Sequence, residues 1–380
     1  MVVLNDFRND SRVEKISRSL AHRGLDVKVF ATAGKNLPVT EIKDGYQVIR
    51  PFRTRRNIRS FGRVVSSLGI LISLVSKIFK IDLVHCNDLE PLPFCLFLKI
   101  LSFGRIKVIY DAHELETEKN STSAIRKSIS RLLESLLIGM VDSFVTVSPS
   151  IAKWYEREYL IKRPVVVLNC PYYREPVKTN LLRGALGIEE DKKIILYQGG
   201  FAENRGLRQL LEAFESADAP SDCVLVFLGF GPVHRVGLGF EDKIRNASNR
   251  NSNVFFHPAV PYGELIDYTS SADLGLCLIE GNCLSYRYSL PNKLFEYGMA
   301  GLPMMVSDLP EMRAMVEKFE CGMICDRLTS EGILSSIASI FQADLGMLSQ
   351  NAQKLAKKHC WENQEANLNQ AYARLIEGVR

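Results

Sequence analysis

In the first half of the chain, continuous apolar runs alternate with segments in which apolar residues recur at helical spacing. Val13, Ile16 and Leu20 recur at helical spacing between the apolar runs at 2–4 and 27–30, which predict strands. The same order recurs with predicted strands at 82–86, 107–110 and 143–148 and predicted helices between them. Because these strands are nearly continuous apolar runs, they indicate a parallel sheet that helices cover on both faces.

A second series of the same kind follows a proline-containing segment at 169–176. Its predicted strands lie at 193–198, 223–229, 253–258, 273–278 and 303–307. The pattern predicts an α/β fold of two doubly wound, Rossmann-like parallel-sheet domains, an N-terminal one at 1–170 and a C-terminal one at 171–360. We expect the polar-faced helix at 361–380 to pack back on the N-terminal domain.

Composition is that of an ordinary globular protein, since 46% of the 380 residues are hydrophobic and 24% are charged. Four of the nine cysteines lie in apolar runs, namely Cys86, Cys95, Cys223 and Cys277. We interpret them as buried, reduced thiols of a cytoplasmic protein. Cys321 and Cys325 form the one close pair, and without a histidine nearby they predict no metal site.

The chain opens on a strand-like run without the basic start, apolar core and cleavage site of a secretory signal. Its longest apolar stretches, around 64–75 and 91–101, are shorter than the roughly 18 residues of a membrane-spanning helix. We therefore expect neither a leader peptide nor a bilayer crossing.

Charge is divided unevenly between the halves. Residues 1–180 contain 29 Lys and Arg against 18 Asp and Glu, whereas residues 181–380 contain 19 against 25. Residues 45–81 have no acidic side chain, and their arginines are Arg50, Arg53, Arg55, Arg56, Arg59 and Arg63. An amphipathic helix is predicted directly behind this loop, from Phe61 onward.

The arginines indicate an anionic partner. Each basic residue beside an anionic bilayer contributes about 1 kcal/mol, so we expect them to bind an anionic membrane surface. This would place the protein peripherally on the inner face of the plasma membrane. Nucleic acid is the competing anion, but with only Phe52 and Phe61 available for stacking, no nucleic-acid partner is predicted.

The segment at 289–308 predicts a loop, a short helix and a buried strand. Pro291 suits the first turn of a helix, and Gly301 marks its end. Asn292, Lys293 and Glu296 then share one face of its first turns. The free N–H groups of a helix start can bind a phosphate, and a carboxylate one turn deeper can accept hydrogen bonds from sugar hydroxyls. A nucleotide-diphosphate site is one interpretation, and an ordinary surface Lys–Glu pair is the other.

A glycine pair follows the predicted strand at 193–198. Gly199 and Gly200 permit close backbone approach, and Arg205 at the next helix start offers a fork of donors that suits a pyrophosphate. The alternative for Arg205 is a solvated charge at a helix end.

His113 follows the predicted strand at 107–110 and is placed to hydrogen-bond a substrate or to move a proton near neutral pH. Alternatively, Asp111 or Glu114 holds it for structural reasons. His85 also ends a strand, but it has fewer polar neighbours and is interpreted as structural.

Together these features resemble the GT-B glycosyltransferases of the retaining family 4, particularly bacterial members that build surface polysaccharides. Four segments carry the resemblance: NDSRVEKISRSLAHRGLDVKVFA, YDAHE, LYQGGFAENRGLRQLLEAF and LPNKLFEYGMAGLP. The resemblance implies two Rossmann-like domains that face each other across a cleft.

The resemblance also implies residue roles. Glu296 would bind the ribose of the nucleotide, and His113 would meet the transferred sugar. The implied catalytic residues are His113, Arg205 and Lys293, and the implied donor-binding residues are Glu296, Gly199, Gly200, Asn292, Leu294, Val260 and Glu280. No metal is expected, because positive side chains and helix dipoles would neutralise the leaving diphosphate.

The chain departs from the family pattern at two positions. Tyr288 stands where many members carry the first carboxylate of a Glu-x7-Glu motif that ends at Glu296. Contacts to the sugar would then come from elsewhere, such as Glu280 or Asn282. Phe201 replaces the arginine that usually follows the glycine of the first loop of domain two, which leaves Arg205 and Lys293 as cations.

We therefore expect a retaining, metal-independent, hexosyltransferase-type glycosyltransferase of bacterial surface polysaccharide biosynthesis. Its donor would be a nucleotide-diphosphate sugar, with a UDP-sugar favoured, and its acceptor a saccharide or a polyprenyl-linked saccharide. Two alternatives stay open. A nucleotide-sugar epimerase on the same fold would need further acids and bases around the sugar, and a non-catalytic partner subunit would explain the missing Glu and Arg.

Overall fold

The computed structural model describes residues 1–8, 10–34, 36–51, 61–118, 124–231 and 239–376. Its internal contacts divide the chain into two compact units. Unit 1 is Met1–Leu168 together with Gln364–Arg380, and unit 2 is Asn169–Asn363.

The strands of unit 1 are mostly parallel. They are β1 (Lys28–Phe30), β2 (Thr40–Lys43), β3 (Tyr46–Ile49), β4 (Leu83–Asn87), β5 (Lys107–Ala112), β6 (Ser143–Thr146) and β7 (Val165–Val166). The helices are α1 (Ser11–His22), α2 (Phe61–Val75), α3 (Leu92–Leu101), α4 (Ala124–Ile138) and α5 (Pro149–Glu158), with 3-10 turns at Ile78–Lys80 and Glu116–Glu118.

The strands of unit 1 have the orders β1-β3-β2 and β4-β5-β6-β7, and only the pair β2–β3 is antiparallel. Val2 connects the two groups, because it forms parallel bridges to Phe30 of β1 and to Cys86 of β4. The strand predicted at 2–4 is therefore confined to a single bridging residue.

Unit 2 contains a second parallel sheet. Its strands are β8 (Lys193–Gly200), β9 (Cys223–Phe230), β10 (Val254–Pro258), β11 (Leu274–Cys277), β12 (Met304–Ser307) and β13 (Gly322–Cys325). Its helices are α6 (Leu181–Leu186), α7 (Leu207–Glu215), α8 (Phe240–Arg250), α9 (Leu265–Thr269), α10 (Leu284–Arg287), α11 (Asn292–Met299), α12 (Pro310–Phe319), α13 (Ser330–Phe341) and α14 (Leu345–Lys358). The strand order is β10-β9-β8-β11-β12-β13, and every pair is parallel.

The central strands of unit 2 are buried on both faces, as in other parallel sheets that helices cover. All four residues of β11 and of β12 are buried, as are five of the eight residues of β8 and seven of the eight residues of β9. The predicted α/β class, with parallel sheets in two Rossmann-like units, is confirmed.

A last helix, α15 (Trp361–Ile376), begins in unit 2 and continues into unit 1. Among the described residues, no single helix has the length and apolar composition of a bilayer crossing. The bent pair Ser330–Phe341 and Leu345–Ala373, with an angle of 99°, meets those limits by length and composition.

The cysteines are free thiols, and all except the half-buried Cys283 are buried. The predicted burial of Cys86, Cys95, Cys223 and Cys277 is confirmed. No three His, Cys, Asp or Glu side chains of the described segments are grouped so that they could hold a metal ion.

Candidate functional site

The strand order of unit 2 reverses beside β8. From β8 the chain moves through β9 to β10, and it then returns to the other side of β8 for β11, β12 and β13. In an open parallel sheet, ligands bind beside the carboxyl ends of the strands at such a reversal. Gly199 and Gly200 end β8, Arg205 follows them, and Glu280 follows β11. These predicted donor residues therefore share the edge at which the reversal occurs.

Helix α11 starts at the same edge. It begins at Asn292, and its N-cap is Pro291 with the extended angles φ −75° and ψ 148°. No side chain of the described chain caps this helix start, so the first amides can donate to a ligand. Asn292 and Lys293 are half-buried, whereas the Leu294 side chain is fully buried and its amide donates to the Pro291 carbonyl at 3.2 Å. The amides and the helix dipole favour an anion here.

Glu296 lies one turn inside α11 and is 6% exposed. Its Oε2 accepts a hydrogen bond from Gln198 Nε2 at 2.7 Å, and Gln198 Oε1 accepts one from the Thr269 hydroxyl at 2.6 Å. Gln198 is fully buried in β8. This series of bonds holds the carboxylate beside the end of β8.

Two cations lie on aromatic rings at this edge. Lys293 Nζ is 3.7 Å from the centroid of the Tyr197 ring, and Arg205 Cζ is 5.1 Å from that of Tyr286. Gly199 has φ +108°, and a Cβ there would lie 3.0 Å from Lys293 Cε. Within the described residues neither cation forms an ion pair with a carboxylate, so both charges can face an anionic ligand.

The buried thiol of Cys277 lies near these two cations and Glu296. Burial raises the pKa of Cys277, the positive charges of Lys293 and Arg205 lower it, and the negative charge of Glu296 raises it. All three charged groups are therefore within electrostatic reach of one side chain at the end of β11. Arg205, Lys293 and Glu296 thus all lie near Cys277, at the end of β11 in unit 2.

The other predicted donor residues lie in loops of the same edge. The Glu280 amide donates to the Asn204 carbonyl at 3.1 Å, and Asn282 Nδ2 donates to Asn204 Oδ1 at 2.6 Å. These bonds tie the loop after β11 to the loop after β8. The Glu280 carboxylate accepts a bond from Gln209 Nε2 at 3.3 Å, and Val260 is half-buried in the loop after β10.

His113 belongs to unit 1, where it follows β5, and its side chain is 21% exposed. Its Nδ1 is 3.5 Å from Asp88 Oδ2, and its Nε2 is 3.5 Å from Asp111 Oδ2. Burial lowers the pKa of His113, but the charges of Asp88 and Asp111 outweigh burial and raise it to about 9. At neutral pH the ring is therefore protonated at both nitrogens, so it cannot accept a proton.

Asp111 is fully buried below His113. Arg12 donates to both of its carboxylate oxygens, from Nε at 2.9 Å and from Nη2 at 2.8 Å. His85 Nε2 lies 3.3 Å from the same carboxylate, and His85 Nδ1 accepts a bond from the Tyr372 hydroxyl at 2.5 Å. Burial raises the pKa of Asp111, but the charges of Arg12 and His113 hold it well below its usual range. His85 is thus a structural residue, as the sequence indicates.

The structure shows the surroundings of Phe201 and Tyr288, the two residues at which the chain departs from the family pattern. Phe201 is 1% exposed and packs on Tyr197 and Phe227, with ring centroids 6.1 Å apart in each pair. A cation at this position would enter the core. Tyr288 is half-buried directly after α10, the helix that also supplies the ring beneath Arg205.

Several residues of these sites were not among the candidates named from the sequence. They are Arg12 and Asp88 in unit 1, and Tyr197, Gln198 and Tyr286 in unit 2. For Gln198 a signal exists, because a polar side chain ends an apolar strand directly before Gly199. The others have no local signal, because their partners are distant in the sequence.

Arg50 requires a correction to the predicted membrane surface. Its side chain is 2% exposed, and its Nη1 donates to Glu41 Oε2 and to the Pro38 carbonyl, both at 3.1 Å. Its Nε donates to the Asp6 carbonyl at 3.1 Å. A buried guanidinium with these acceptors cannot contact a bilayer, so the prediction for Arg50 is wrong. The other predicted side chains, those of Arg53, Arg55, Arg56, Arg59 and Arg63, lie outside the described residues.

Family models match both halves of the chain. Residues 11–172 match the model described as Glycosyltransferase Family 4, and residues 178–359 match the one described as Glycosyl transferases group 1. Comparison with curated protein sequences gives no significant match.

Solved structures of similar fold cover nearly the whole chain. Sucrose-phosphate synthase from Thermosynechococcus elongatus has a TM-score of 0.77 at 18% identity, over 97% of this chain and 93% of that one. HepE from Anabaena, solved in complex with UDP and glucose, has a TM-score of 0.70 at 13% identity, over 99% and 98%. WaaG, a glycosyltransferase involved in lipopolysaccharide biosynthesis, has a TM-score of 0.68 at 15% identity, over 97% and 98%. At these identities the similarity establishes the fold.

Proposed function

We propose that this chain, which its two domains identify as a glycosyltransferase of the GT-B fold, transfers a sugar from a nucleotide-diphosphate sugar to a saccharide acceptor. One observation carries the choice of donor. Arg205 and Lys293 have no carboxylate partner within the described chain, and they lie with Glu296 around the end of β11. Two cations, uncapped helix amides and a fixed carboxylate form a site that suits a diphosphate joined to a ribose.

Each group then has a role. Arg205, Lys293 and the first amides of α11 bind the diphosphate and stabilise the charge that develops on it as the sugar leaves. Glu296, held by Gln198, accepts hydrogen bonds from the ribose hydroxyls. The family resemblance supports a contact between the transferred sugar and His113, which is protonated at neutral pH. Because the cations supply the positive charge, we propose that transfer requires no metal ion, and the family resemblance supports retention of configuration.

The proposed classes of donor and acceptor rest on the solved structures of similar fold. HepE was solved with UDP and glucose, which supports a UDP-hexose as the donor. WaaG is involved in lipopolysaccharide biosynthesis, which supports a lipid-linked saccharide as the acceptor and a role in surface polysaccharide synthesis. We further propose that this chain acts on the cytoplasmic side of a membrane.

Nucleotide binding tests the donor site. We would measure the thermal midpoint of the full chain with UDP, GDP, ADP and CMP, because a ligand that binds only the folded state raises it. One nucleotide should give the largest shift, and Glu296→Ala should weaken its binding roughly 10- to 100-fold through loss of charged hydrogen bonds. Glu212→Ala is the matched control, because Glu212 is exposed on α7. Equal affinity in both variants would refute the site.

Turnover tests the chemistry. Arg205→Ala should lower kcat roughly 100-fold, as loss of a donor to a developing charge does elsewhere, whereas Arg208→Ala on the exposed side of α7 should leave it unchanged. Activity should also survive excess EDTA. A product formed from the donor alone, without acceptor, would indicate an epimerase. Nucleotide binding without release of sugar to any acceptor would indicate a non-catalytic subunit.

A further inference from the structure

A small cavity lies in unit 1 beside the end of β4. Its volume is about 140 Å³, and the chain after Val2, the residue before α1 and the segment between β4 and α3 line it. A water molecule occupies about 30 Å³ in the liquid, so the cavity has room for a group of about five non-hydrogen atoms. Its polar lining consists of two amides and three carboxylates, namely Asn5, Asn87, Asp10, Asp88 and Glu90.

Asn87 is the residue that indicates a ligand in this cavity. Its side chain is 3% exposed, and its Nδ2 donates to the Val2 carbonyl at 3.2 Å. Its Oδ1 is buried and meets no hydrogen-bond donor of the described chain. Because a buried acceptor without a donor destabilises the fold, we expect a bound group to supply the donor.

The other polar side chains of the cavity also present acceptors. Asn5 Nδ2 already donates to Asp10 Oδ2 at 2.9 Å, and Asp10 Oδ1 accepts a bond from the Val13 amide at 3.1 Å. Asp88 Oδ1 accepts a bond from the His113 amide at 3.2 Å. Since an ionised carboxylate can only accept hydrogen bonds, a group that enters the cavity must donate several.

Charge narrows the choice of donor. The three carboxylates face two helix starts, those of α1 and α3, each of which carries about half a positive charge. The protonated His113 ring lies 3.5 Å from Asp88. Together these groups offset about two of the three negative charges, so the cavity keeps a net negative charge that would repel a phosphate or a carboxylate.

A protonated primary amine fits this lining. It offers three N–H donors and no acceptor, and its single positive charge neutralises the charge that remains. A metal ion fits less well, because the acidic side chains of the described segments are not grouped closely enough to hold one. A neutral hydroxyl offers one donor and no charge.

We propose that this cavity binds a protonated amino group of the acceptor, so that the acceptor is a saccharide with a free primary amine. The inference rests on the proposed function, because it takes the cavity for part of the acceptor site. Its position supports this, since Asp88 contacts His113, the residue that the family resemblance associates with the transferred sugar. Asn87, Asp10 and Asp88 accept the N–H bonds, and the exposed Glu90 adds attraction at the rim.

Binding of three related sugars tests the proposal. Glucosamine, glucose and N-acetylglucosamine would each be titrated onto the full chain at about pH 6.5 and followed by saturation-transfer NMR. We expect glucosamine to bind at least about tenfold more tightly than the other two, which lack the charged amine.

Variants locate the binding. The double variant Asp10→Asn, Glu90→Gln removes two charges and keeps an N-cap side chain at position 10, and it should weaken glucosamine binding roughly tenfold or more. The matched control Asp26→Asn, Glu158→Gln removes two exposed charges elsewhere in unit 1 and should bind as the wild type does. Circular dichroism would check that each variant is folded.

The outcomes separate this inference from the proposed function. Equal affinity for glucosamine and glucose would refute recognition of an amine, and equal affinity of the double variant and the wild type would refute the location. Either result together with normal UDP binding would overturn this inference alone. Glucosamine binding that the double variant loses, in a chain that binds no nucleotide, would support the amine site and refute the transferase assignment.

Discussion

At the scale of single residues, the charged side chains of the candidate site in unit 2 contact uncharged side chains. Lys293 lies over Tyr197, Arg205 lies over Tyr286, and Glu296 accepts a bond from the Gln198 amide. An aromatic ring orients a cation without neutralising it, as a carboxylate would. The two cations therefore keep their charge for an anionic ligand.

Gln198 is a positioning residue for Glu296 in this arrangement. We expect Gln198→Leu to raise the KM for the donor roughly 10- to 100-fold with a smaller change in kcat, because a hydrogen bond to a charged group contributes about 1.5–3 kcal/mol. Initial rates measured over a range of donor concentrations would separate the effect on KM from the effect on kcat. Gln342→Leu, at an exposed position directly after α13, is the control. A fall in kcat alone would contradict a positioning role.

His113 should make the stability of unit 1 depend on pH. Its folded pKa of about 9 lies above the ordinary value of 6.5, so protonation stabilises the fold. The contribution, on the order of 3 kcal/mol, is fully present below pH 6.5 and is lost as the pH rises through 9. Urea denaturation between pH 6 and pH 10 should show this loss in the wild type and not in His113→Gln. The exposed His22→Gln variant should behave as the wild type does, and identical profiles for all three would contradict the prediction.

Local spacing was sufficient to find some of these residues and not others. Asn292, Lys293 and Glu296 share a helix face, so their proximity follows from the sequence alone. Gln198 and Glu296 are 98 positions apart, and Asp88 and His113 are 25 apart on different loops. Such pairs become neighbours only when the strands pair, and no periodic pattern encodes which side chains then meet.

At the scale of elements, helix α11 is fixed by one side chain that crosses the sheet. The Tyr297 hydroxyl donates to the Leu276 carbonyl at 2.9 Å, and the ring lies against Gly275 of β11. A Cβ at Gly275 would be 2.6 Å from the Tyr297 ring. The glycine is therefore needed for the close approach of α11 to the sheet.

Gly275→Ala should displace α11 and weaken nucleotide binding, although Gly275 itself is expected to touch no ligand. Overpacking of this kind costs about 1–3 kcal/mol of stability, and the loss of affinity should accompany it. Isothermal titration with the nucleotide selected above would measure the affinity. Gly263→Ala is the control, because a Cβ there meets nothing within 4 Å. Unchanged affinity in Gly275→Ala would show that nucleotide binding does not depend on the close packing of α11 against the sheet.

The elements themselves were predictable to different degrees. Buried parallel strands are recognisable in the sequence as apolar runs, and the predicted strands agree with the structure in position, except that the run at 2–4 forms only a bridge at Val2. The β2–β3 hairpin was not predicted, although Asp44 and Gly45, with φ of 37° and 86°, are the residues that a tight hairpin turn requires. Periodicity located α4 but could not show which side faces inward. Its orientation is fixed by the buried Glu134, which accepts hydrogen bonds from the hydroxyls of Tyr110, Tyr155 and Tyr159.

At the scale of the whole molecule, the last helix completes the first unit. Tyr372 of α15 is 2% exposed and donates to His85, and Glu365 accepts a bond from Ser19 at 2.5 Å. Gln364 accepts a bond from the Leu168 amide at 3.0 Å. The chain order therefore does not coincide with the order of the units, because unit 1 closes with residues from the end of the sequence.

Tyr372→Ala should destabilise unit 1 and leave unit 2 unaffected. Removing a buried aromatic side chain costs about 3–5 kcal/mol. Hydrogen exchange by mass spectrometry should show faster exchange in β4 and β5 and unchanged exchange in β8 and β9. Tyr262→Ala, at a position that is 48% exposed, should alter neither unit. Equal loss of protection in both units would contradict the assignment of the last helix to unit 1.

The sequence indicated the α/β class at this scale, because alternating strands and helices leave few architectures open. It also suggested that a polar-faced terminal helix packs elsewhere on the chain, but it did not show that Tyr372 contacts the buried network of Asp111. That contact joins residues far apart in the sequence, and no spacing rule encodes it.

The position of α15 has a consequence for how the protein is made. The ribosome must add residues 169–363 between the last strand of unit 1 and the helix segment that covers its core. At ordinary rates of synthesis this interval lasts about 10–40 s, and during it the apolar surface around His85 is not yet covered by α15. We therefore expect nascent unit 1 to bind chaperones during synthesis and to release them once α15 has been translated.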